Sequence, residues 1–311
     1  MKYYILLLII LLFSTSCKDV WESPDKDVWI DFHGNTAILA TQSTLPPSKE
    51  YVRIAVASMT TPDETIYKYN DLFNYMEERL DRQIMLFQRK TYKEVNDLLK
   101  HNDIDIAFIC SGAYITGVED SCFKFFLLPE RENQWHYHAY IIVKKNSPIN
   151  SFAELKGKKF VFSDSLSNTG MFYPLKRLHD LNTTPEAFFS KTSLSNAHNN
   201  SIELVSRGLV DGASVNSLIF DYIKETEPEK VANLKIIETS IPFGMPPLVV
   251  SNNINKVLEQ DLYNILTNMV KNKQGRDILR SLMINRFVPA SDTIYDGIRK
   301  MKAEVSYLSV N

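Results

Sequence analysis

The sequence predicts an α/β protein built as two lobes. Three observations carry that expectation. From Tyr51 onward, short apolar runs alternate with amphipathic stretches at helical spacing. The alternation restarts after Ser147-Pro148, and late in the chain it returns to strands and long amphipathic helices. Strands alternating with helices argue for parallel sheets covered on both faces. Two such units followed by a return argue for two crossings between the lobes. The expected division is residues 51–143 plus 247–311 for one lobe and 144–246 for the other. Small ligands favour the cleft between such lobes, at the carboxyl ends of the strands.

The N-terminus addresses the compartment. Lys2 gives a short positive region, Tyr3 to Phe13 is apolar, and Ser14-Thr15-Ser16-Cys17 follows. The apolar core is shorter than the roughly 20 residues that span a bilayer, and it fits a secretory signal. Small residues immediately before a cysteine resemble a bacterial lipobox. That resemblance implies a signal peptide over residues 1–16, cleaved before Cys17, and lipid modification of Cys17. An uncleaved anchor is the rival reading. Either way the rest of the chain faces outside the inner membrane. Lys18 at the next position leaves sorting between the inner and outer membranes open. Residues 17–50 hold Pro24, Pro46, Pro47 and many polar residues, as a tether does. Val28-Trp29-Ile30-Asp31-Phe32 interrupts it with the alternation of a short edge strand.

The body then reads element by element. Val52 to Val56, Ile84 to Phe87 and Ile104 to Ile109 are strands; Tyr67 to Leu80 and Tyr92 to Leu99 are helices. Ala139 to Val143 is a strand. Phe152 to Leu155 is a short helix, and Phe160 to Phe162 a strand. A helix ends at Gly208, and the strands Val210 to Val215, Leu234 to Ile237 and Leu248 to Val250 follow. Helices fill Val257 to Leu282. Residues 294–311 form a last helix, with Tyr295, Ile298, Met301 and Val305 on a face that favours docking, on the first lobe, over a free tail.

The stretch from Phe160 to Gly170 is the most informative. An apolar strand runs into Ser163-Asp164-Ser165-Leu166-Ser167-Asn168-Thr169-Gly170, and a helical pattern begins at Met171. The first N–H groups of a helix lack intrahelical partners, and the positive end of the dipole lies there. Ser and Thr add neutral donors, so a tetrahedral oxyanion can be held without a fixed cation. Taken alone, the stretch reads more simply as Ser167 capping a helix.

The chain resembles the periplasmic substrate-binding proteins of phosphate, phosphite and phosphonate ABC transporters, the PhnD type. The residues carrying this are dispersed over about 51–290. They are Arg53-Ile54-Ala55-Val56; Arg89 to Leu99 followed by Asp105 to Tyr114; Leu155 to Phe160 leading into the hydroxyl turn; His198 to Ile202 before Gly208 to Ala213; and Pro242 to Val250. The resemblance implies a type II periplasmic-binding-protein fold, two Rossmann-like lobes joined by a two-crossing hinge, closing on ligand by hinge bending. It implies a monomeric binding protein, without a cofactor, that passes a small phosphorus oxyanion to an ABC transporter permease. It places the oxyanion on Ser165, Ser167, Asn168 and Thr169, with His198 at the cleft. A histidine there would have its charge set by pH near neutrality. Tyr114, Tyr137 and Tyr140, near strand ends, would wall the organic side. Ser58, Thr60 and Thr61, after the first strand, and Ser111 and Gly112, after the third, would be the other lobe's donors. Tyr92 reads as packing. The family often has Asp where Asn199 and Asn216 stand. Losing both carboxylates argues against a cationic tail and for phosphate, phosphite or a simple alkyl phosphonate.

Other classes fare poorly. A net charge of −2 gives no bias toward nucleic acid or anionic lipid. No Gly-x-Ser-x-Gly elbow, P-loop, His-Glu-x-x-His or zinc-like Cys/His spacing is present. An extracytoplasmic sensor that reports its ligand to a membrane receptor or kinase is the main alternative. Cys110 and Cys122 sit in a compartment that permits a disulfide, but so sparse a pair favours two buried thiols.

Overall fold

The computed structural model describes residues 51–308, Val310, and the backbone of residues 28–31 and 36–39. The expected signal peptide and Cys17 lie outside the described residues. Strands in chain order are β1 (Val28–Asp31), β2 (Thr36–Leu39), β3 (Tyr51–Val56), β4 (Gln83–Phe87), β5 (Ile106–Phe108), β6 (Phe123–Glu130), β7 (His136–Tyr137) and β8 (Ala139–Lys144). After these come β9 (Lys159–Phe162), β10 (Lys191–Leu194), β11 (Gly212–Asn216), β12 (Leu234–Thr239), β13 (Phe243–Gly244), β14 (Leu248–Ser251) and β15 (Arg286–Val288).

They form two main sheets. The first has the order β15-β6-β14-β5-β3-β4-β1-β2 and the second β10-β9-β11-β8-β12. The chain passes from one to the other twice. The two passages pair as a short ribbon, with Phe243 opposite Tyr137 and Gly244 opposite His136. Neither main sheet is parallel throughout, which corrects the expectation. β3 is parallel to β4 and β5, but the returning β14 enters antiparallel to both β5 and β6. In the second sheet β9 is parallel to β10 and β11, while β8 is antiparallel to β11 and β12. A chain that leaves a sheet and comes back from the other lobe enters in reverse, because no crossover helix turns it around.

β1 pairs antiparallel with β4, as the alternation over 28–32 suggests, but it is not the edge. β2 folds back on it as a hairpin, so part of the expected tether extends the sheet.

Local chemistry sets the helices. Pro62 starts the helix Pro62–Leu80 five residues before the expected start at Tyr67, because proline's missing N–H is no loss in a first turn. That stripe buries Leu72, Phe73 and Met76, and Asp81 ends the helix in the left-handed region at φ 51°. Thr91 and Glu94 form a reciprocal capping box on Tyr92–Lys100. Cys110 and Cys122 are both buried and free.

The last helix, Asp296–Val305, buries Ile298, Met301 and Val305. It caps more than the first lobe. It packs against Ser111–Glu119 and against Tyr173–Asp180, which lie on opposite sides of the cleft. Lys302 pairs with Glu119 on one side, and Glu304 with Lys176 on the other at 3.3 Å.

Candidate functional site

The cleft is built where β9 delivers the hydroxyl turn opposite two helix N-termini of the first lobe. Ser167, Asn168, Thr169, Ser163 and Asp164 are buried there, together with His198, Asn216 and Ser111. Ser167 caps the helical segment that follows. Its Oγ accepts from the Gly170 N–H at 3.0 Å, and its carbonyl accepts from the N–H groups of Met171 and Phe172. The segment Asn168–Phe172 opens as one wide π-type turn before the α-helix Tyr173–Asp180, a local widening common at functional sites. A side chain at Gly170 would run into Ser163 Oγ at 1.7 Å. Only glycine lets the turn lie this close to β9.

His198 stands at the start of the helix His198–Ser206. Its Nδ1 accepts from the Asn216 N–H at 3.2 Å, which leaves the ring proton on Nε2, 3.4 Å from Ser167 Oγ. With His198 Nε2–H and Gly170 N–H both directed at that oxygen, the Ser167 hydroxyl proton is free to point into the cleft. Burial pushes the imidazole pKa down to about 3. The ring is therefore neutral near neutrality, which corrects the expectation of a charge set by pH there.

The first lobe supplies Tyr92 from the N-terminus of its helix, a residue that reads from sequence as packing. Tyr92 is wholly buried, its hydroxyl lies near Ser167 but makes no hydrogen bond of normal geometry with the protein, and burial raises its pKa well above the usual tyrosine range. The Tyr92 N–H donates to Asp164 Oδ2 at 3.0 Å, while Leu166 N–H donates to Asp164 Oδ1 at 2.8 Å. Asp164 thus joins the lobes at a helix N-terminus. Tyr137, from the crossing, accepts from Asn168 Nδ2 at 3.1 Å and shares a hydrogen bond with Ser111 Oγ at 2.7 Å. Gly112 closes the contact: a Cβ there would lie 2.3 Å from the Leu166 carbonyl and 2.6 Å from the Asn168 nitrogen.

Unpartnered polar atoms gather in this region. Tyr92 Oη, Ser163 Oγ, Asn168 Oδ1, Thr169 Oγ1 and Asn216 Nδ2 are buried and make no hydrogen bond of normal geometry with the protein. Buried polar atoms are normally paired, at a cost of about 1–3 kcal/mol when they are not. Several together are what a buried polar solute would satisfy.

Other expected residues lie elsewhere or are occupied. Ser165 is solvent-exposed at the outer edge of the turn. Tyr114 packs among Phe123, Phe125 and Tyr295 and donates its hydroxyl to Asp292 at 2.6 Å. Tyr140 packs on Phe220 and reaches Asp221. Ser58 donates to the Arg89 carbonyl, and Thr60 bonds Thr65 at 3.0 Å. Thr61 precedes helix Pro62–Leu80 without a side-chain cap and meets Asn199 Nδ2 at 3.5 Å. Asn199 also donates to Glu64 Oε2 at 2.7 Å, a contact between lobes. Asn216 Oδ1 accepts from the Leu218 N–H at 2.8 Å, capping the next helix.

Comparison with known proteins gives the family and the fold. The family model described as the periplasmic phosphonate substrate-binding protein of ABC transporters matches residues 54–295. The chain belongs to that family. The phosphonates-binding periplasmic protein of Escherichia coli (strain K12) is 25% identical over 231 residues, 73% of this chain and 68% of its own length. PhnD1 of Prochlorococcus marinus (strain MIT 9301), named a probable ABC transporter phosphite-binding protein, is 22% identical over 193 residues, 56% of this chain and 63% of its own length. Its structure with methylphosphonate superposes with a TM-score of 0.75 at 17% identity, covering 83% of this chain and 99% of that one. The binding-protein component of an ABC phosphonate transporter from Pseudomonas aeruginosa superposes at 0.78 and 21% identity, covering 82% and 86%. The fold is that of the type II periplasmic binding proteins.

Within this phosphonate-binding family frame, sequence reading leaves Ser163 out of the oxyanion contacts and passes over Tyr92. Its signal is faint: a bulky aromatic at the first position of a helix, just after Thr91, where a core residue gains little.

Proposed function

We propose that this protein is the solute receptor of an ABC importer and holds phosphate, phosphite or a simple alkyl phosphonate between its lobes. One observation carries the reading. The Ser167–Thr169 turn and Tyr92 present buried, unpartnered polar atoms from opposite lobes around a helix start, with a neutral histidine behind Ser167. Preorganised neutral dipoles suit a tetrahedral oxyanion that must also be released, since opening the cleft rehydrates every donor at once. Asn199 and Asn216 bring no carboxylate to hold an ammonium group, so aminoalkyl phosphonates should bind less well than uncharged analogues. We propose also that Cys17 carries the lipid anchor.

Thermal shift and calorimetry with phosphite, phosphate, methylphosphonate, sulfate and 2-aminoethylphosphonate test the ligand class. A ligand that binds only the native state raises its stability with concentration. No shift with any phosphorus oxyanion would overturn the reading. Fatty-acid labelling of the expressed protein, lost in Cys17→Ala, tests the anchor.

A further inference from the structure

The cleft continues past the cradle. Asn216, whose amide nitrogen has no protein partner, also lines a neighbouring cavity. Met59 lines that cavity too, and its carbonyl accepts from the His198 N–H at 3.0 Å, so cavity and cradle share a wall. The lining is mainly apolar, with residues such as Phe108, Ile219 and Phe287. It carries two cations, Lys68 and Arg131, and no carboxylate.

Those cations come from different places and converge. Lys68 lies on the first-lobe helix Pro62–Leu80, and its ammonium sits 4.2 Å from the centre of the Tyr222 ring on the second lobe. Arg131 follows β6 at the crossing and pairs with the exposed Glu132 at 3.5 Å. Two carboxylates lie near them outside the lining: Glu64, which accepts from Asn199 at 2.7 Å, and Asp221, whose pKa burial raises while the Arg131 charge opposes it by favouring the ionised form. Burial and the Arg131 charge bring the Lys68 pKa down to about 8, against the opposing pull of Glu64. Two like charges facing an apolar cleft are mutually unfavourable, and an anion between them relieves both.

We propose that Lys68 and Arg131 form a second anion subsite, which selects phosphorus oxyanions carrying a further anionic group, such as a carboxylate, on their organic arm. This rests on the cradle reading, since the cradle would hold the phosphorus end. It extends the loss of carboxylates at positions 199 and 216 into a positive preference for an acidic tail.

The test is calorimetry on the whole mature chain with ethylphosphonate, 3-phosphonopropionate and 2-aminoethylphosphonate, with methylphosphonate as reference. Phosphonopropionate is expected to bind at least about tenfold tighter than ethylphosphonate, as one favourable charge contact gives. That advantage should fall below about threefold in Lys68→Met and in Arg131→Gln, and it should weaken with added salt. Methylphosphonate affinity should stay within about threefold in both variants, which also shows them to be folded. If ethyl and carboxyethyl compounds bind alike while methylphosphonate binds, the subsite is refuted and the cradle stands. The subsite is equally refuted if the carboxylate advantage survives both substitutions. If no phosphorus compound binds, subsite and cradle fall together.

Discussion

The two walls of the cleft use the same residue types differently. On the second lobe, the hydroxyl and amide groups of Ser163, Ser167, Asn168 and Thr169 are buried, and several polar atoms remain unpartnered. On the first lobe, Ser58 and Thr60 bond within their own wall, and Ser111 bonds Tyr137 of the crossing. The first wall's open contribution is the Tyr92 phenol. A hydroxyl at a strand end is therefore not evidence of a ligand contact; an unspent hydrogen-bonding capacity is. The second wall is a binding surface, and most of the first is a support that places one phenol and two helix ends against it.

Acid separates the walls most strongly. His198 belongs to the second wall, and burial lowers its pKa from 6.5 to about 3. The unfolded chain then binds a proton that the folded chain refuses between those values, so stability is complete above about pH 6.5 and is lost as pH falls toward 3. The loss from this group reaches roughly 5 kcal/mol at the acid end. Asp164 works the other way, because burial raises its pKa and the folded state protonates first as pH falls. Chemical denaturation at pH 7, 5 and 4 should show His198→Gln losing less stability on acidification than the parent. Parallel curves would mean that the ring is not held neutral.

Gly112 tests whether the walls must meet. A methyl there would press on the Leu166 carbonyl and the Asn168 nitrogen across the cleft, with no flexible side chain to yield. Gly112→Ala lies at a helix start, where alanine is well tolerated, so each lobe should fold. Affinity for methylphosphonate or phosphite should fall about a hundredfold or more, because the closed arrangement is blocked. Small-angle scattering with ligand should show the variant failing to compact. Retained affinity would mean that the meeting of Gly112 with the turn is dispensable.

The contrast between the walls also explains what could be read from sequence. The second wall is a contiguous string: a strand, a hydroxyl cluster and a helix start, each with a local signature. The first wall is assembled from distant pieces. Tyr92 meets the turn across the 72 positions that separate it from Asp164, a distance that leaves no periodic trace. The helix Ser111–Glu119 buries Ser111 to Ile115 without a polar face, so amphipathic spacing could not reveal it. β6 alternates poorly because Leu127 to Glu130 are all buried, and β15 has only three residues. The alternation from 51 to 109 and the return at 248 were legible because their apolar runs match single elements. The antiparallel entry of β14 was not, since direction is set by where the chain comes from.

Thr169 sharpens the description of the second wall. Its Oγ1 is buried without a partner, so Thr169→Val keeps shape and removes only the hydroxyl. Oxyanion affinity should drop about tenfold, the worth of one good hydrogen bond to a charged group. Apo stability should hold or rise slightly, because an unsatisfied buried polar atom is gone. Ser167→Ala differs in a telling way: it also removes a helix cap, costing the apo protein about 1 kcal/mol. A thermal-shift series with and without phosphite distinguishes the two. Equal apo losses would imply that Thr169 is structural too.

The smallest effect belongs to Ser58. Its hydroxyl is committed to the Arg89 carbonyl, so it has no donor left for a solute. Ser58→Ala should leave affinity within about twofold while lowering stability by roughly 1 kcal/mol, the usual worth of such a bond. The pattern is the reverse of Thr169→Val: stability moves and binding does not. If calorimetry instead finds a tenfold loss of affinity for Ser58→Ala, the Arg89 bond must give way when ligand arrives, and the first wall is as much a binding surface as the second.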